Sequence, residues 1–473
     1  MKANPAYDLP LRTDVRALDR ALRGAHNLSY WLDNPERPTP LPRLVGELRA
    51  GLVVVGGGYC GLWTALLAKD RDPSLDVVVL EAREIGWAAS GRNGGFVEAS
   101  LTHGQENGER YFPSELDLLE RLGLDNWREF ASDLTRYGID AEYENAGVIT
   151  VATEPHQVGW LKSQAGPTST FLDREALAER VVSPLFRAGL YEAEGEALVN
   201  PGKLAWGLKN ACLRLGVRIF ENSPVRKLRQ EDGRVVATTR AGSVSAKQAV
   251  LATNGFPSLL LRNRLRTIPI YDYALMTEPL SDQQLRSIGW TERFGLTDMS
   301  RQFHYYRKSA DNRILWGGYD AVYHSGGRIK PEYDVRTETF RRLADHFLHT
   351  FPQLPDIRFT HAWGGMIDMS SRLVAFHGTA MRGKVAYSSG FTGLGVAATR
   401  FAAKTMLELL DGTDTEITGT KLVRTKPLPI PPEPFASATV GIVKRAVAQS
   451  DRNGGHDGPI LKLANRLGYS FDS

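Results

Sequence analysis

Cysteine is scarce in this chain of 473 residues: Cys60 and Cys212 are the only two, in no CxxC spacing and in no cluster with histidine. No metal site is therefore expected, neither zinc nor iron–sulfur, and nothing points to an oxidising compartment. Long apolar runs are also missing, so no bilayer span is expected. The opening stretch "MKANPAYDLPLRTDVRALDR" is too polar for the apolar core of a secretory signal. The expected location is the cytoplasm. Charge of one sign is nearly balanced, at a formal +4, and no long basic run occurs, which argues against a nucleic-acid partner. Internal repeats and low-complexity stretches are absent. What remains is a chain of ordinary globular composition, 42% hydrophobic and 24% charged, long enough for two domains with interleaved segments.

The pattern of elements changes several times along the chain. "RTDVRALDRALRG" has helical spacing, and "DNPERPTPLPRL" reads as an extended linker. "LVVVGGGYCGLWTALLAKD" followed by "SLDVVVLEA" reads as a buried strand, a glycine turn, a helix and a second buried strand, one βαβ unit. Residues 113–135 are helical, and "AEYENAGVITVA" reads as a hairpin. "PGKLAWGLKNACLRLG" is a helix and "VRIFENSPVRKL" a strand. Turn signals at Asp232-Gly233 and Ala241-Gly242 predict a small antiparallel ribbon that ends in the buried strand of "AVLATNG". Strand-rich stretches recur over 267–320, "RTETFRRLADHFLHTF" is helical, and "GKVAYSSGFTGLGVAATRFAAKTMLELLDG" is a strand, a glycine turn and a long helix. A tail from 421 carries one amphipathic segment, "ATVGIVKRAVAQ". The fold class expected is α/β, mixed with α+β.

Gly56-x-Gly58-x-x-Gly61 follows a strand and opens a helix. The first glycine permits a tight turn, the second lets backbone approach a pyrophosphate, and the third lets helix pack close to strand. The helix N-terminus adds free N–H groups and a partial positive charge. Glu81 ends the second strand, where an acid binds ribose hydroxyls and repels a 2′-phosphate, so NADP is disfavoured. The choice between NAD and FAD stays open on these residues alone. Two further stretches favour the flavin. "AREIGWAASGRNGGF" puts small residues and an Arg-Asn pair where a longer dinucleotide would extend. "SSGFTGLG" puts glycines before a helix whose N–H groups could stabilise the negative charge a flavin gains on reduction.

These stretches, with "SPVRKL", "AVLATNG" and "WGGMID", span roughly residues 50–412 in an order that resembles the D-amino-acid oxidase superfamily of FAD-dependent amine oxidoreductases. The "ASGRNGG" form looks most like the gamma-glutamylputrescine oxidases and the aminophosphonate oxidoreductases. The resemblance implies a Rossmann-like FAD domain of non-contiguous pieces (51–112, 197–261, 357–420) beside a β-sheet substrate domain (113–196, 262–356), flanked by an N-terminal segment (1–50) and a tail (421–473). It implies that Gly56, Gly58 and Gly61 hold the pyrophosphate, with Tyr59 and Cys60 in the same turn, Cys60 as a small packed residue. Glu81, with Ala82 and Arg83, takes the adenosine ribose, and Val225 gives backbone contacts to adenine. Ser90, Arg92, Asn93, Gly94 and Gly95 line phosphates and flavin, and Gly390, Phe391, Thr392, Gly393, Leu394 and Gly395 reach its pyrimidine end. FAD is expected to be non-covalent: no cysteine stands in "DMSSRLVAF", and "LTHGQENG" around His103 fits a surface or core histidine better than an attachment point.

The implied reaction is hydride transfer from the carbon beside a neutral amine to flavin N5, then hydrolysis of the imine, with oxygen or another acceptor taking the electrons. Such chemistry needs pocket-lining residues more than a triad. His304, Tyr305, Trp363 and Met366 are the candidates placed over the flavin, from "FHYYR" and "HAWGGMID". His304 and Tyr306 share one strand face, and Phe303, Tyr305 and Arg307 share the other. Tyr271, Tyr273 and Asp368 are further candidates. Relatives that oxidise small α-amino acids anchor the carboxylate with an arginine where this chain has Met366-Ile367-Asp368, so Asp368 is expected to repel a carboxylate, while Arg307 or Arg372 could replace the anchor. A primary or secondary amine without an obligatory α-carboxylate is therefore the expected substrate. Alternatives are an oxidase of small amino acids, a flavin-binding subunit of a larger complex, or an RNA-modifying flavoprotein, the last disfavoured by the missing basic patch and catalytic cysteines. Oligomeric state and the choice between oxidase and dehydrogenase are open.

Overall fold

The apolar run Leu52–Val55 is buried because parallel strands flank it on both sides. It ends the strand Gly46–Val55, which pairs with Val77–Leu80 on one side and Gly242–Leu251 on the other. The parallel set continues outward to Arg218–Phe220 and to Val385–Ser389, and Phe376–Ala380 closes the latter edge antiparallel. In this computed structural model, which describes residues 6, 7 and 10–466, that sheet has eight strands. The expected N-terminal segment and tail thus extend, at 1–5, 8, 9 and 467–473, outside the described residues. Alternation divides the central strand between two cores. Leu52 and Val54 face the helices Tyr59–Arg71, Pro201–Arg214 and Ala398–Asp411, while Val53 and Val55 face the antiparallel ribbon Lys227–Glu231, Arg234–Thr238 and Gly242–Leu251.

A second eight-stranded sheet runs in the order Phe359–Ser370, Thr267–Thr277, Ile314–Gly318, His304–Lys308, Gly295–Asp298, Val148–Ala152, Ala188–Glu192, Ser169–Leu172. One face is covered by the helix Thr337–Thr350, whose Phe340, Leu343 and Phe347 pack with Tyr271, Tyr273, Tyr306 and Trp316. The opposite face turns toward the glycine-rich segments and carries Trp31, Ala274, Met276, Leu315 and Trp363, with Tyr305 against them. The short helix Val15–Ala21, capped by Asp14, lies on the Thr337–Thr350 helix.

Three expectations change. The hairpin expected over 141–152 does not form. Only Val148–Ala152 is a strand, and its partners are the distant Ala188–Glu192 and Gly295–Asp298. Glu142 (φ +51) and Gly147 (φ +71) bend the stretch before it, and Glu144 bridges to Leu198 instead. "VRIFENSPVRKL" is two strands, because Asn222 (φ +51) turns the chain and Pro224 cannot donate to a ladder. Among its described residues the tail carries three helices, Lys421–Arg424, Phe435–Arg452 and Pro459–Arg466, the last two packed through Val443, Ala446 and Leu461. Among the described residues no helix is long and apolar enough to cross a membrane.

Candidate cofactor cleft and active site

The glycine turn is built by contact as well as by conformation. Gly56 has φ +111, and a Cβ there would stand 2.3 Å from the Ala252 carbonyl oxygen. A Cβ at Gly61 would stand 1.9 Å from the Gly56 oxygen, so helix and strand touch through backbone. The helix starts at Tyr59 with Gly58 as N-cap and no cap from that residue, which leaves the N–H groups of Cys60 and Gly61 in the first turn for an anion. Ser90 Oγ closes the other side: it accepts from Tyr59 N at 3.0 Å and would meet a Gly58 Cβ at 2.9 Å. Cys60 is buried in the same turn, and desolvation pushes its thiol well up. Glu81 accepts from Gly57 N (2.6 Å), Arg83 N (2.9 Å) and Trp87 Nε1 (2.8 Å), and burial raises its pKa despite these donors. Ala82 follows it, and the Arg83 guanidinium lies 4.4 Å over the Trp87 ring. Val225 belongs to the neighbouring loop, whose Ser223 N donates to Glu81 O at 2.7 Å.

Residues 89–95 lock themselves and then tie to the first glycine turn and to the second sheet. Asn93 Nδ2 donates to Ala89 O and Ser90 O, and Asn93 Oδ1 accepts from Gly95 N. Arg92 is not aimed at a phosphate. It donates to Trp87 O and Gly364 O and pairs with Asp334 at 2.5 Å, so it latches the loop to the free edge of the Phe359–Ser370 strand. The indoles of Trp363 and Trp31 donate to Arg92 O and Asn93 O, each at 2.9 Å, and Ser29 Oγ donates to Gly91 O at 2.7 Å. Sequence reading missed Ser29 and Trp31, which nothing in their local pattern marks.

The second glycine loop, 390–395, is held by Asp368. Its carboxylate accepts from Gly390 N and from Phe391 N (3.0 Å), and its carbonyl from Thr392 N (3.2 Å). The expectation that Asp368 meets the substrate is corrected: the side chain is 1% exposed and spent on this loop. Burial pushes its pKa up to about 7. Gly393 and Gly395 lie in the turn with Leu394, whose N donates to Phe391 O, and the helix begins only at Ala398. His103 reaches the same loop, its Nε2 at 2.7 Å from Thr392 O. A carbonyl only accepts, so Nε2 carries the proton, and burial lowers the ring's pKa to about 4.

Strand parity divides the substrate-side candidates. Tyr305 faces the glycine segment: its ring would touch a Cβ on Gly94 at 2.8 Å and one on Gly317 at 2.5 Å. A Cβ on Gly95 would stand 2.2 Å from Val199 O. His304 lies on the far face and is corrected. It is fully buried between Asp298 Oδ2 (2.7 Å) and His346 Nδ1 (2.9 Å), under Tyr7 and Tyr319. Trp363 shares the face of Tyr305, whereas Met366 does not: it pairs with Tyr271 and sits in the core beneath Gly255, with Tyr271 and Tyr273 also on that side. Arg307 donates to Val199 O (2.6 Å) and Gly95 O (3.3 Å), and burial lowers its pKa to about 10. Arg372 is occupied by Thr425, Ala375 and Leu422. Both guanidinium groups are held chiefly by backbone carbonyls.

The acid that does face the glycine segment is Asp272, which sequence reading passed over. It stands opposite Gly365 in the ladder, and Gly365 in turn lies against Arg92. Tyr305 Oη donates to its Oδ2 at 2.6 Å, and burial pushes its pKa up to about 6. Ile270 opposite Ile367, and Ile268 opposite Met369, continue the same face as an apolar floor. The available signal was an aspartate between Tyr271 and Tyr273, which alternation turns to the face away from those aromatics.

An uncapped helix N-terminus, a carboxylate at the neighbouring strand end and a wall of glycines fit an adenine dinucleotide, and the second glycine loop fits its flavin end. The family profile described as "DAO: FAD dependent oxidoreductase" matches residues 52–409. The chain is 30% identical over 409 residues to the gamma-glutamylputrescine oxidoreductase of Escherichia coli (strain K12), covering 82% of this chain and 89% of that protein. It is 26% identical over 403 residues to the probable oxidoreductase OrdL of Haemophilus influenzae, with the same coverage of 82% and 89%. The solved glycine oxidase of Geobacillus kaustophilus superposes with a TM-score of 0.65 at 17% identity, covering 80% of this chain and 99% of that one, a likeness of fold.

Proposed function

The chain belongs to the DAO family of FAD-dependent oxidoreductases, and on that premise we propose that it oxidises a primary or secondary amine that lacks an obligatory α-carboxylate. The observation that carries this reading is Asp272, a carboxylate with Tyr305 on the sheet face turned toward Gly94, where relatives of the amino-acid type would need a cation. FAD, held without a covalent bond, would accept the hydride, and with it the two electrons, that leaves the amine-bearing carbon. The protein's own part is binding, orientation and one proton. The N–H groups of Cys60 and Gly61 would hold the pyrophosphate, Glu81 would take the ribose hydroxyls, and loop 390–395 would hold the pyrimidine edge.

An amine of ordinary basicity arrives protonated, and the lone pair must be freed before hydride can leave. Asp272 Oδ2 receives the ammonium and takes its proton. A carboxylate pushed up to about 6 is a stronger base than an ordinary one and is still ionised at neutral pH. Tyr305 Oη fixes the carboxylate's orientation. Ile270 and Ile367 keep the reacting carbon in an apolar setting and exclude water until the imine leaves and hydrolyses. The E. coli relative is named for gamma-glutamylputrescine, and a polyamine derivative with a distant anion falls in the class proposed.

The test is an anaerobic panel of polyamines, N-methylated amines and amino acids, followed by flavin bleaching. Glycine, D-alanine and sarcosine should reduce the flavin at least about tenfold less efficiently than the best amine, a gap of about 1.4 kcal/mol. One of those three as the best substrate would overturn the reading. Mixing the reduced enzyme with oxygen then distinguishes an oxidase from a dehydrogenase.

A further inference from the structure

Three side chains that the cofactor cleft does not use converge at the free edge of the Phe359–Ser370 strand: His26, Asp33 and His361. Their donor atoms all lie within 4.8 Å of one another. His26 Nδ1 is 2.8 Å and His361 Nε2 is 3.2 Å from the same oxygen, Asp33 Oδ2. Ligands about 2.0–2.2 Å from a tetrahedral zinc ion stand roughly 3.3–3.5 Å from each other, so a small closing or opening of this triangle accommodates the ion.

The backbone holds two of the corners. His26 forms a bridge to His361: His26 N donates to Thr360 O at 2.8 Å and Ala362 N donates to His26 O at 2.9 Å. The third corner is carried by a tight turn in which Asp33 N donates to Ser29 O at 3.0 Å.

Thr360 supports the His361 ring at the nitrogen turned away from Asp33. Thr360 Oγ1 lies 3.2 Å from the Thr277 carbonyl, which only accepts, and it receives Arg313 Nη1 at 3.0 Å. His361 Nδ1 is 2.9 Å from Thr360 Oγ1, so with the hydroxyl proton on the Thr277 carbonyl the Nδ1–H donates to Thr360 Oγ1 and Nε2 is free to ligate. A fixed Nδ1–H on a ligating imidazole is the usual outer support of a metal-bound histidine.

We propose that His26, Asp33 and His361 bind one divalent transition-metal ion, with zinc the preferred occupant and water completing its coordination. Two imidazoles and one carboxylate with solvent access are a zinc-type donor set. This departs from the expectation of no metal site, which rested on the lack of a CxxC or Cys/His cluster; Asp33 and His361 are 328 positions apart in the chain. The turn between the ligands carries Ser29 and Trp31, whose side chains hold the Gly91 and Asn93 carbonyls. The ion is therefore a clip that fixes the N-terminal segment against the sheet edge and, through it, the segment lining the cofactor cleft.

The experiment uses tag-free, FAD-containing protein stripped with a chelator, then dialysed against Zn2+ or Cu2+. Expected results are one zinc retained per chain, a rise in thermal midpoint with Zn2+, and a Cu2+ EPR spectrum with hyperfine splitting from two nitrogens. His26→Ala and Asp33→Asn alter side chains that are 65% and 40% exposed, so both variants should fold. Each should weaken zinc binding by about tenfold or more, at least what an outer-shell substitution costs, and abolish the thermal shift. Zinc absent from the wild-type protein after dialysis, or bound as tightly by both variants as by wild type, would overturn the proposal.

Discussion

Replacing Asp272 by Asn tests the substrate-side reading most directly. The substitution keeps an acceptor for Tyr305 Oη, which now stands 2.6 Å from Oδ2, and removes the charge. If the carboxylate receives an ammonium, a hydrogen bond to a charged group worth about 1.5–3 kcal/mol is lost, or roughly 10- to 150-fold in the efficiency of flavin reduction. The pH profile carries a separate signature. Only ionised Asp272 serves, so efficiency should fall as pH falls through about 6, and Asp272→Asn should erase that limb while leaving the higher one that belongs to the amine. Tyr305→Phe removes a donor that lowers the Asp272 pKa, so the acid limb should move to higher pH. The stability effect has the opposite sense. A carboxyl whose folded pKa lies above its ordinary value contributes stability at low pH that is lost as pH rises through about 6. Asp272→Asn should therefore hold or raise the thermal midpoint at alkaline pH relative to wild type. Rapid-reaction measurement of anaerobic flavin reduction across pH decides the matter. An Asp272→Asn enzyme within about twofold of wild type that keeps the acid limb refutes the reasoning.

The remaining expectations are shorter. Gly61→Ala places a methyl 1.9 Å from a backbone oxygen that cannot rotate away, so it should cost about 1–3 kcal/mol in thermal unfolding and lower the flavin-to-protein absorbance ratio. His304→Ala removes the imidazole from Asp298, both of them fully buried, leaving only the backbone donors of Ser300 and residue 304, and should cost about 3–5 kcal/mol of stability while the folded fraction reduces its flavin at the wild-type rate; a matching loss of rate would return His304 to the substrate. Acid precipitation should release FAD into the supernatant, and yellow colour left in the pellet would reopen His103, beside Thr392, as an attachment point.

The parts of this protein set by neighbours in the chain are legible in the order of its residues. A buried apolar strand, three glycines at fixed offsets, a helix and an acid at the next strand's end form one local unit, and their spacing alone places Gly56, Gly58, Gly61 and Glu81 around one turn. Parity is legible too: Tyr305 and His304 have to face apart. Which of them meets the glycine segment is not, because that depends on the side to which the helix Thr337–Thr350 packs, and contacts made between distant segments decide it. The same holds for the charged residues. Arg92, Arg307, Arg372 and Asp368 carry the right chemistry for phosphate or substrate, yet tertiary contacts spend each of them on backbone carbonyls, amides or Asp334. Asp272 reads as one polar residue in an aromatic strand until pairing sets it opposite Gly365, and His26, Asp33 and His361 share nothing in sequence that predicts their meeting. Local spacing fixes the relative directions of side chains a few residues apart, whereas their surroundings depend on which strands pair and which faces are covered, and those are properties of the whole packed chain.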